Sequence, residues 1–169
     1  MEVRRLVSAD LEPYFALRLE MLRNNPEAFF VSYEDEKAKG SGFVAGILEK
    51  AEPGNAIFGG FVNGKIVGAA GVYRPDPRPK TVHKAMLWGM YVQPSARGQG
   101  LGEALVRAVA THARETMAAN ALYLCVTSGN AAARALYERV GFVGWGTEPR
   151  AWKVEGKYFD DLHMCLKLG

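Results

Sequence analysis

The chemistry in this chain is concentrated first in Val92-Gln93-Pro94-Ser95-Ala96-Arg97-Gly98-Gln99-Gly100-Leu101-Gly102. An apolar run, Ala85 to Val92, precedes the glycines and reads as a buried strand. Glu103 to Met117 follows and reads as a helix. A strand, a glycine-rich turn and a helix together form a site for phosphate. The helix start carries backbone N–H groups without intrahelical partners and the positive end of the helix dipole. Glycines let an anion approach the backbone with no side chain in the way. The ligand implied is one with a phosphate or pyrophosphate.

Two familiar phosphate loops do not fit. A nucleoside-triphosphate loop needs Gly-x-x-x-x-Gly-Lys followed by Ser or Thr, and no Lys follows these glycines. That disfavours a nucleotide-binding phosphotransferase. A dinucleotide loop needs Gly-x-Gly-x-x-Gly and an acid at the end of the next strand. Here Gly98, Gly100 and Gly102 are spaced two apart, and Glu103 stands where the third required glycine belongs. The acids downstream, such as Glu115, fall inside the helix.

A second stretch comes thirty residues on, Asn130-Ala131-Ala132-Ala133-Arg134-Ala135-Leu136-Tyr137-Glu138-Arg139-Val140-Gly141-Phe142. Asn130 is a helix N-cap residue. Arg97, Gly100 and Gly102 match Arg/Gln-x-x-Gly-x-Gly/Ala. This resembles the pyrophosphate loop of the GNAT N-acetyltransferase superfamily, which binds acetyl-CoA. The Asn130 helix, its Leu-Tyr pair and the Gly-Phe that follows resemble that family's other signature, in the right order and at the right separation. The resemblance runs from Val3 to about Leu166.

The resemblance implies roles. Backbone N–H groups of Gly98, Gln99, Gly100, Leu101 and Gly102 would ring the pyrophosphate, and Arg97 would add charge-assisted hydrogen bonds. Backbone groups of Met90, Tyr91 and Val92 would meet the pantetheine, with the Met90 N–H polarising the thioester carbonyl. Asn130 would touch the cofactor. Tyr137 would be the general acid for the leaving thiolate, since a phenol keeps its proton at neutral pH. The acceptor would be an amine, and no metal is implied. Many relatives carry a carboxylate base on the fourth strand. Here that strand reads His83-Lys84-Ala85-Met86-Leu87-Trp88-Gly89-Met90-Tyr91, without one. Glu34, Glu36, His83 or water alone remain as bases. The missing carboxylate keeps a second class open, a non-catalytic acyl-CoA-binding module.

The elements that must position these groups follow from pattern. Val3 to Val7 reads as a strand. Asp10 caps a helix with Pro13 in its first turn and a buried face at Leu11, Phe15, Leu19 and Leu22. Asn24-Asn25-Pro26 ends it. Glu34 to Lys39 and Gly42 to Lys50 read as helical pieces broken at Gly40-Ser41-Gly42. Ala56 to Val62 and Lys65 to Tyr73 flank Asn63-Gly64, a hairpin turn. Arg74 to Lys80, with alternate prolines, is a loop. Val82 to Val92 is a strand, Gly100 to Met117 a helix, Ala121 to Val126 a strand and Asn130 to Val140 a helix. Phe142 to Thr147 and Phe159 to Leu166 are the closing strands. The order β-α-α-β-β-β-α-β-α-β-β is a mixed α/β class, and it coincides with the order known for the GNAT fold. In that fold the fourth and fifth strands splay, here Val82 to Val92 and Ala121 to Val126.

The bulk properties narrow the class. A chain of 169 residues reads as one domain, 1–169. With 49% hydrophobic and 23% charged residues it has the composition of a soluble globular protein. The net charge of +3 suits an anionic ligand, and no Lys/Arg cluster points to nucleic acid. No apolar run reaches membrane length and none forms a leader core, which implies a cytoplasmic protein. Cys125 and Cys165 lie in apolar strand-like runs and read as buried, reduced thiols. Phe29, Phe30, Tyr33, Trp145, Trp152 and Tyr158 sit in the segments that would flank an acceptor, and by default they complete the core. Dimers occur in the GNAT family, and no segment here marks an interface.

Overall fold

A computed structural model describes all residues, 1–169. Seven strands form one sheet in the order β1-β2-β3-β4-β5-β7-β6. They are β1 (Glu2–Arg5), β2 (Asn55–Val62), β3 (Lys65–Tyr73), β4 (Lys84–Val92), β5 (Ala121–Thr127), β6 (Val143–Val154) and β7 (Lys157–Lys167). The helices are α1 (Leu11–Asn24), α2 (Tyr33–Lys39), α3 (Gly42–Lys50), α4 (Leu101–Glu115) and α5 (Ala131–Val140). This is the expected mixed α/β class, with the two helical pieces before β2 standing as separate helices on either side of Gly40. One core lies between the sheet and α4, around Leu101, Leu105, Val106 and Val109. The other lies on the opposite face against α1 and α3, around Tyr14, Leu17, Met21 and Val44.

All sheet neighbours are antiparallel except β4 and β5. These two run parallel and pair only at Lys84–Ala121, Ala85–Leu122 and Met86–Tyr123. Beyond Met86 and Tyr123 they part. The splay is thus present, and it opens a gap in mid-sheet.

A bulge in β4 shapes one wall of the gap. Gly71 pairs Trp88 but Ala69 pairs Tyr91, so β4 carries one extra residue. Gly89 takes the extra place at φ +61°, a conformation that suits glycine. The alternation of faces shifts accordingly. Leu87 and Met90 both pack toward α4, while Trp88 and Tyr91 both pack toward α1.

Several boundaries and faces differ from the sequence reading. The face of α1 is centred on Tyr14, Leu17, Arg18 and Met21. A pattern built from apolar residues passes over Arg18, which is buried because it pairs with Glu36 of α2. Asp10 does not cap α1 with its side chain. Its carboxylate instead accepts from Arg4 at 2.7 and 2.8 Å and from the Val7 N–H at 2.9 Å. Strand β4 starts at Lys84, because Thr81 and Val82 donate back to the Arg78 carbonyl in a wound turn. The last two strands form one long hairpin. Glu155 and Gly156 make its two-residue turn with φ +47° and +82°, the positive values such turns need. The Asn63-Gly64 turn is as expected, with Val62 paired to Lys65. No helix is long and apolar enough to cross a membrane.

Candidate active site

Where β4 and β5 part, a cleft of about 430 Å³ runs through the sheet, a size that suits a small-molecule site. Its β4 wall is Leu87 to Val92 and its β5 wall Cys125, Val126 and Thr127. The link between α1 and α2 contributes Asn25, Ala28 and Phe29. That link is pinned to β5 by the Thr127 hydroxyl, which donates to the Glu27 carbonyl at 2.8 Å.

One end of the cleft meets the start of α4. Gly100, at φ +81°, occupies the N-cap position and no side chain caps the helix. The first intrahelical bond is from the Ala104 N–H to the Gly100 carbonyl. The N–H groups of Leu101, Gly102 and Glu103 are therefore without helical partners and are available to an anion. A Cβ on Gly102 would lie 3.2 Å from Leu136 and 3.3 Å from Met90, so this glycine lets α4 close against both walls. Arg97 lies at the mouth, its Nε donating to the Val92 carbonyl at 2.9 Å. The rest of its guanidinium is exposed.

Arg97, Gly98, Gly100, Leu101 and Gly102 line the cleft, as do Met90, Tyr91, Val92, Asn130 and Tyr137. Gln99 is exposed outside it. The side chains of Leu101 and Tyr91 point away. Leu101 is 1% exposed in the α4 core, and the Tyr91 hydroxyl donates to Glu20 at 2.9 Å. Asn130 caps α5, accepting from the Ala133 N–H at 3.1 Å, with its amide N–H₂ left over. Tyr137 is buried edge-on to Phe142, and desolvation raises its pKa, so the phenol keeps its proton.

None of the sequence-named bases lines the cleft. Glu34 is exposed on α2. Glu36 is buried in its ion pair with Arg18, whose guanidinium lies 5.2 Å from the Trp88 ring. His83 sits before β4, at the end where β4 and β5 are still paired, and its carbonyl is taken by Asn120 and Ala121.

A family model described as Acetyltransferase (GNAT) family matches residues 3–142. The chain belongs to the GNAT acetyltransferase family. It is similar to N-alpha-acetyltransferase RimI of Mycobacterium tuberculosis, 35% identical over 108 residues, which is 64% of this chain and 65% of that protein. It is also similar to the mycothiol acetyltransferase of Salinispora tropica, 30% identical over 140 residues, 81% of this chain. The match spans just under two thirds of the first relative and 42% of the second. In fold it is similar to yncA of Salmonella typhimurium, a structure holding acetyl-CoA. The TM-score is 0.85 at 20% identity, covering 100% of this chain and 94% of that one.

Two readings of the flanking segments are corrected. Cys125 is exposed rather than buried, and Cys165 is half-buried. Beyond Tyr123 β5 has no β4 partner, and Cys125 lines the cleft that opens there. Phe30 is 82%, Trp145 62% and Tyr158 48% exposed, so these aromatics do not complete the core. Trp145 and Tyr158 lie on the β6–β7 hairpin at the edge of the sheet. Cys125, Thr127, Trp88 and Phe29 are cleft residues that carry no local sequence signal. Only the register of the sheet brings them together.

Proposed function

We propose that this protein moves an acetyl group from acetyl-CoA to a primary amine of a small molecule, a peptide or a protein N-terminus, by direct attack in a ternary complex. The observation that carries the reading is the gap between β4 and β5. It leads from the uncapped start of α4, past the Met90 backbone, to Tyr137. Similarity to an N-alpha-acetyltransferase and, in fold, to a protein solved with acetyl-CoA supports the same reading.

Acetyl-CoA supplies an activated thioester; the chain's own groups do the rest. The N–H groups at Gly98 to Gly102 and the free face of Arg97 hold the pyrophosphate. The backbone of Met90, Tyr91 and Val92 holds the pantetheine arm, the Val92 carbonyl keeping a second lone pair beside its bond from Arg97. The Met90 N–H polarises the carbonyl. The amine nitrogen attacks, a C–N bond forms, the C–S bond breaks, and the nitrogen gives up one proton to solvent as coenzyme A leaves as its thiolate. Tyr137 donates a hydrogen bond to the departing sulfur. Complete loss of its proton would leave a phenolate in a desolvated wall, so its donation tightens as sulfur gains charge. The free thiols of Cys125 and Cys165 suit a reducing, cytoplasmic setting.

A second reading is favoured by one observation. Glu34, Glu36 and His83 all lie off the cleft, as expected of a non-catalytic acyl-CoA-binding module. Two measurements separate the readings. Saturating acetyl-CoA, unlike ATP or NAD, should raise the melting temperature by about 5–10 °C, from roughly 2.7 kcal/mol at a hundredfold excess over Kd. Coenzyme A release in the presence of an amine panel marks the enzyme. Tyr137→Phe should keep the thermal shift and slow release by about 10² to 10⁴. A shift without release from any amine supports the binding module.

A further inference from the structure

A cluster of three side chains beside the cleft is not used by the mechanism above. Cys125 of β5 and His163 of β7 are paired across the strands, with Sγ 3.2 Å from Nδ1. On the other side of the ring, Nε2 lies 3.4 Å from Oε2 of Glu148 on β6. One tautomer fits both contacts. A carboxylate only accepts, so Nε2 carries the ring hydrogen and donates to Glu148. Nδ1 is then the acceptor, and it faces the thiol hydrogen.

The surroundings set the direction of transfer. Although Cys125 is exposed at the cleft, partial desolvation by the cleft wall, then the Asp161 and Glu148 carboxylates, push its thiol up to about 11. Sulfur therefore holds its hydrogen at neutral pH and acts as a donor to His163, not as a thiolate nucleophile. The titratable groups facing the imidazole are Cys125 from β5, Glu148 from β6 and Asp161 two residues before it on β7. None of the three is cationic. Trp145 packs over the imidazole at 5.2 Å.

The placement is also right. Leu122, Leu124 and Val126 of β5 pack toward α4, so Cys125 faces the opposite side, as Thr127 does. The α1–α2 link meets β6 through Phe30, which lies edge-on to Trp152 at 5.4 Å. Of the three groups, Cys125 lines the cleft, while His163 and Glu148 stand behind it.

Building on the acetyltransferase reading, we infer that the acceptor ammonium loses its proton to His163 by way of the Cys125 thiol. The ammonium hydrogen passes to Sγ as the thiol hydrogen passes to Nδ1. One N–H and one S–H bond break, and one S–H and one N–H bond form. The products are a neutral amine, a restored thiol and an imidazolium bonded to Glu148. No oxidant or reductant is needed. His163, partly exposed, returns the proton to solvent before the next cycle.

The test is kcat/KM against pH, with the best amine of the panel, for wild type, Cys125→Ala, Cys125→Ser, His163→Asn and Glu148→Gln. The acetyl-CoA thermal shift of each variant establishes that it folds and binds. Wild type should lose activity on the acid side in the range where imidazole charges. His163→Asn should be about 10² to 10⁴ slower and lack that limb. Cys125→Ala should behave likewise, while Cys125→Ser, whose hydroxyl can still relay, should recover most of the rate. Glu148→Gln, which keeps an acceptor for Nε2, should slow kcat/KM by less than His163→Asn does. Wild-type rates and profiles in both Cys125→Ala and His163→Asn would overturn the relay alone. So would an acetyl group found by mass on Cys125 after acetyl-CoA without amine, since the thiol would then be a nucleophile. A wild type that binds acetyl-CoA yet releases no coenzyme A with any amine overturns the function and the relay together.

Discussion

The two faces of the sheet are held together by different means. On the α4 face the core is almost wholly apolar, and His112, bonded to the Pro53 carbonyl at 2.9 Å, is its one buried ionisable side chain outside Tyr137. On the α1 face and along β7 the protein buries Arg18, Glu36 and Asp161. It also leaves Phe30, Phe43, Trp145 and Tyr158 open to solvent. Burying an ion costs several kcal/mol unless its partner is well placed, and exposed aromatics gain nothing from the hydrophobic effect. The α4 face therefore serves stability and holds the glycine turn in shape. The other face carries ion-pair and exposure costs that the α4 face does not.

The comparison breaks most sharply at Arg18. Arg18→Ala should strand Glu36 as an unpaired buried charge and lower stability by about 3–5 kcal/mol, read from urea unfolding. It should leave the thermal shift with acetyl-CoA intact, because the glycine turn is on the other side. A loss below about 1 kcal/mol would mean that Glu36 is solvated or protonated, and that the polar face is less costly than described.

Gly100→Val makes the converse test. A β-branched residue at φ +81° adds strain of about 1–2 kcal/mol, less than the Arg18 change. Its larger effect should be on the ligand. The stabilisation by saturating acetyl-CoA, roughly 2.7 kcal/mol at a hundredfold excess over Kd, should vanish. A variant that melts lower but keeps the full acetyl-CoA shift would show that the phosphates do not bind at the start of α4.

Two aspartates sharpen the comparison through pH, with opposite signs. The hydrogen bond from Arg4 lowers the Asp10 pKa, and the Val7 N–H adds to this. Asp10 thus stabilises the fold above the ordinary carboxylate value of about 3.9, and that contribution is lost as pH falls through its folded value. Burial raises the Asp161 pKa, with Trp152 and His163 acting the other way. Its charge destabilises the fold near neutral pH, and the cost is relieved as pH falls through its raised value. Melting temperatures from about pH 3 to about pH 7 should show Asp10→Asn less stable at the neutral end and equal to wild type at the acid end. Asp161→Asn should be more stable than wild type at the neutral end, and the gain should shrink with acid. A destabilised Asp161→Asn at neutral pH would place that residue among the stabilising groups.

The same contrast decides what could be read from the chain. The glycine turn, α4 and the Asn130 cap are local. Their signals lie within a dozen residues, and the structure places them along one cleft. The acceptor side is built by register. Cys125 and His163 are 38 residues apart, and His163 and Glu148 are 15 apart. They meet only because β7 lies between β5 and β6. The β6–β7 hairpin itself depends on Glu155-Gly156, a turn without the Asn-Gly signal that made the Asn63 hairpin evident. Arg18 escaped an apolar pattern because it is charged, and nothing local marks Glu36 as buried, because its partner lies on another helix.

The smallest predicted effect bears on the exposed aromatics. Trp145 is 62% exposed on β6, at the sheet edge, with its ring against His163. Removing a side chain with that much water contact should change stability by no more than about 0.5 kcal/mol, so Trp145→Ala should melt with wild type. If the hairpin frames the acceptor, KM for the amine should rise severalfold while the acetyl-CoA shift stays unchanged. A Trp145→Ala variant with both stability and amine KM unaltered would mean that the exposed aromatics face away from the reacting amine. The acceptor would then be framed by Phe29 and Trp88 alone. That result would shrink the acceptor-facing surface to the cleft walls and leave the β6–β7 hairpin free for another surface role.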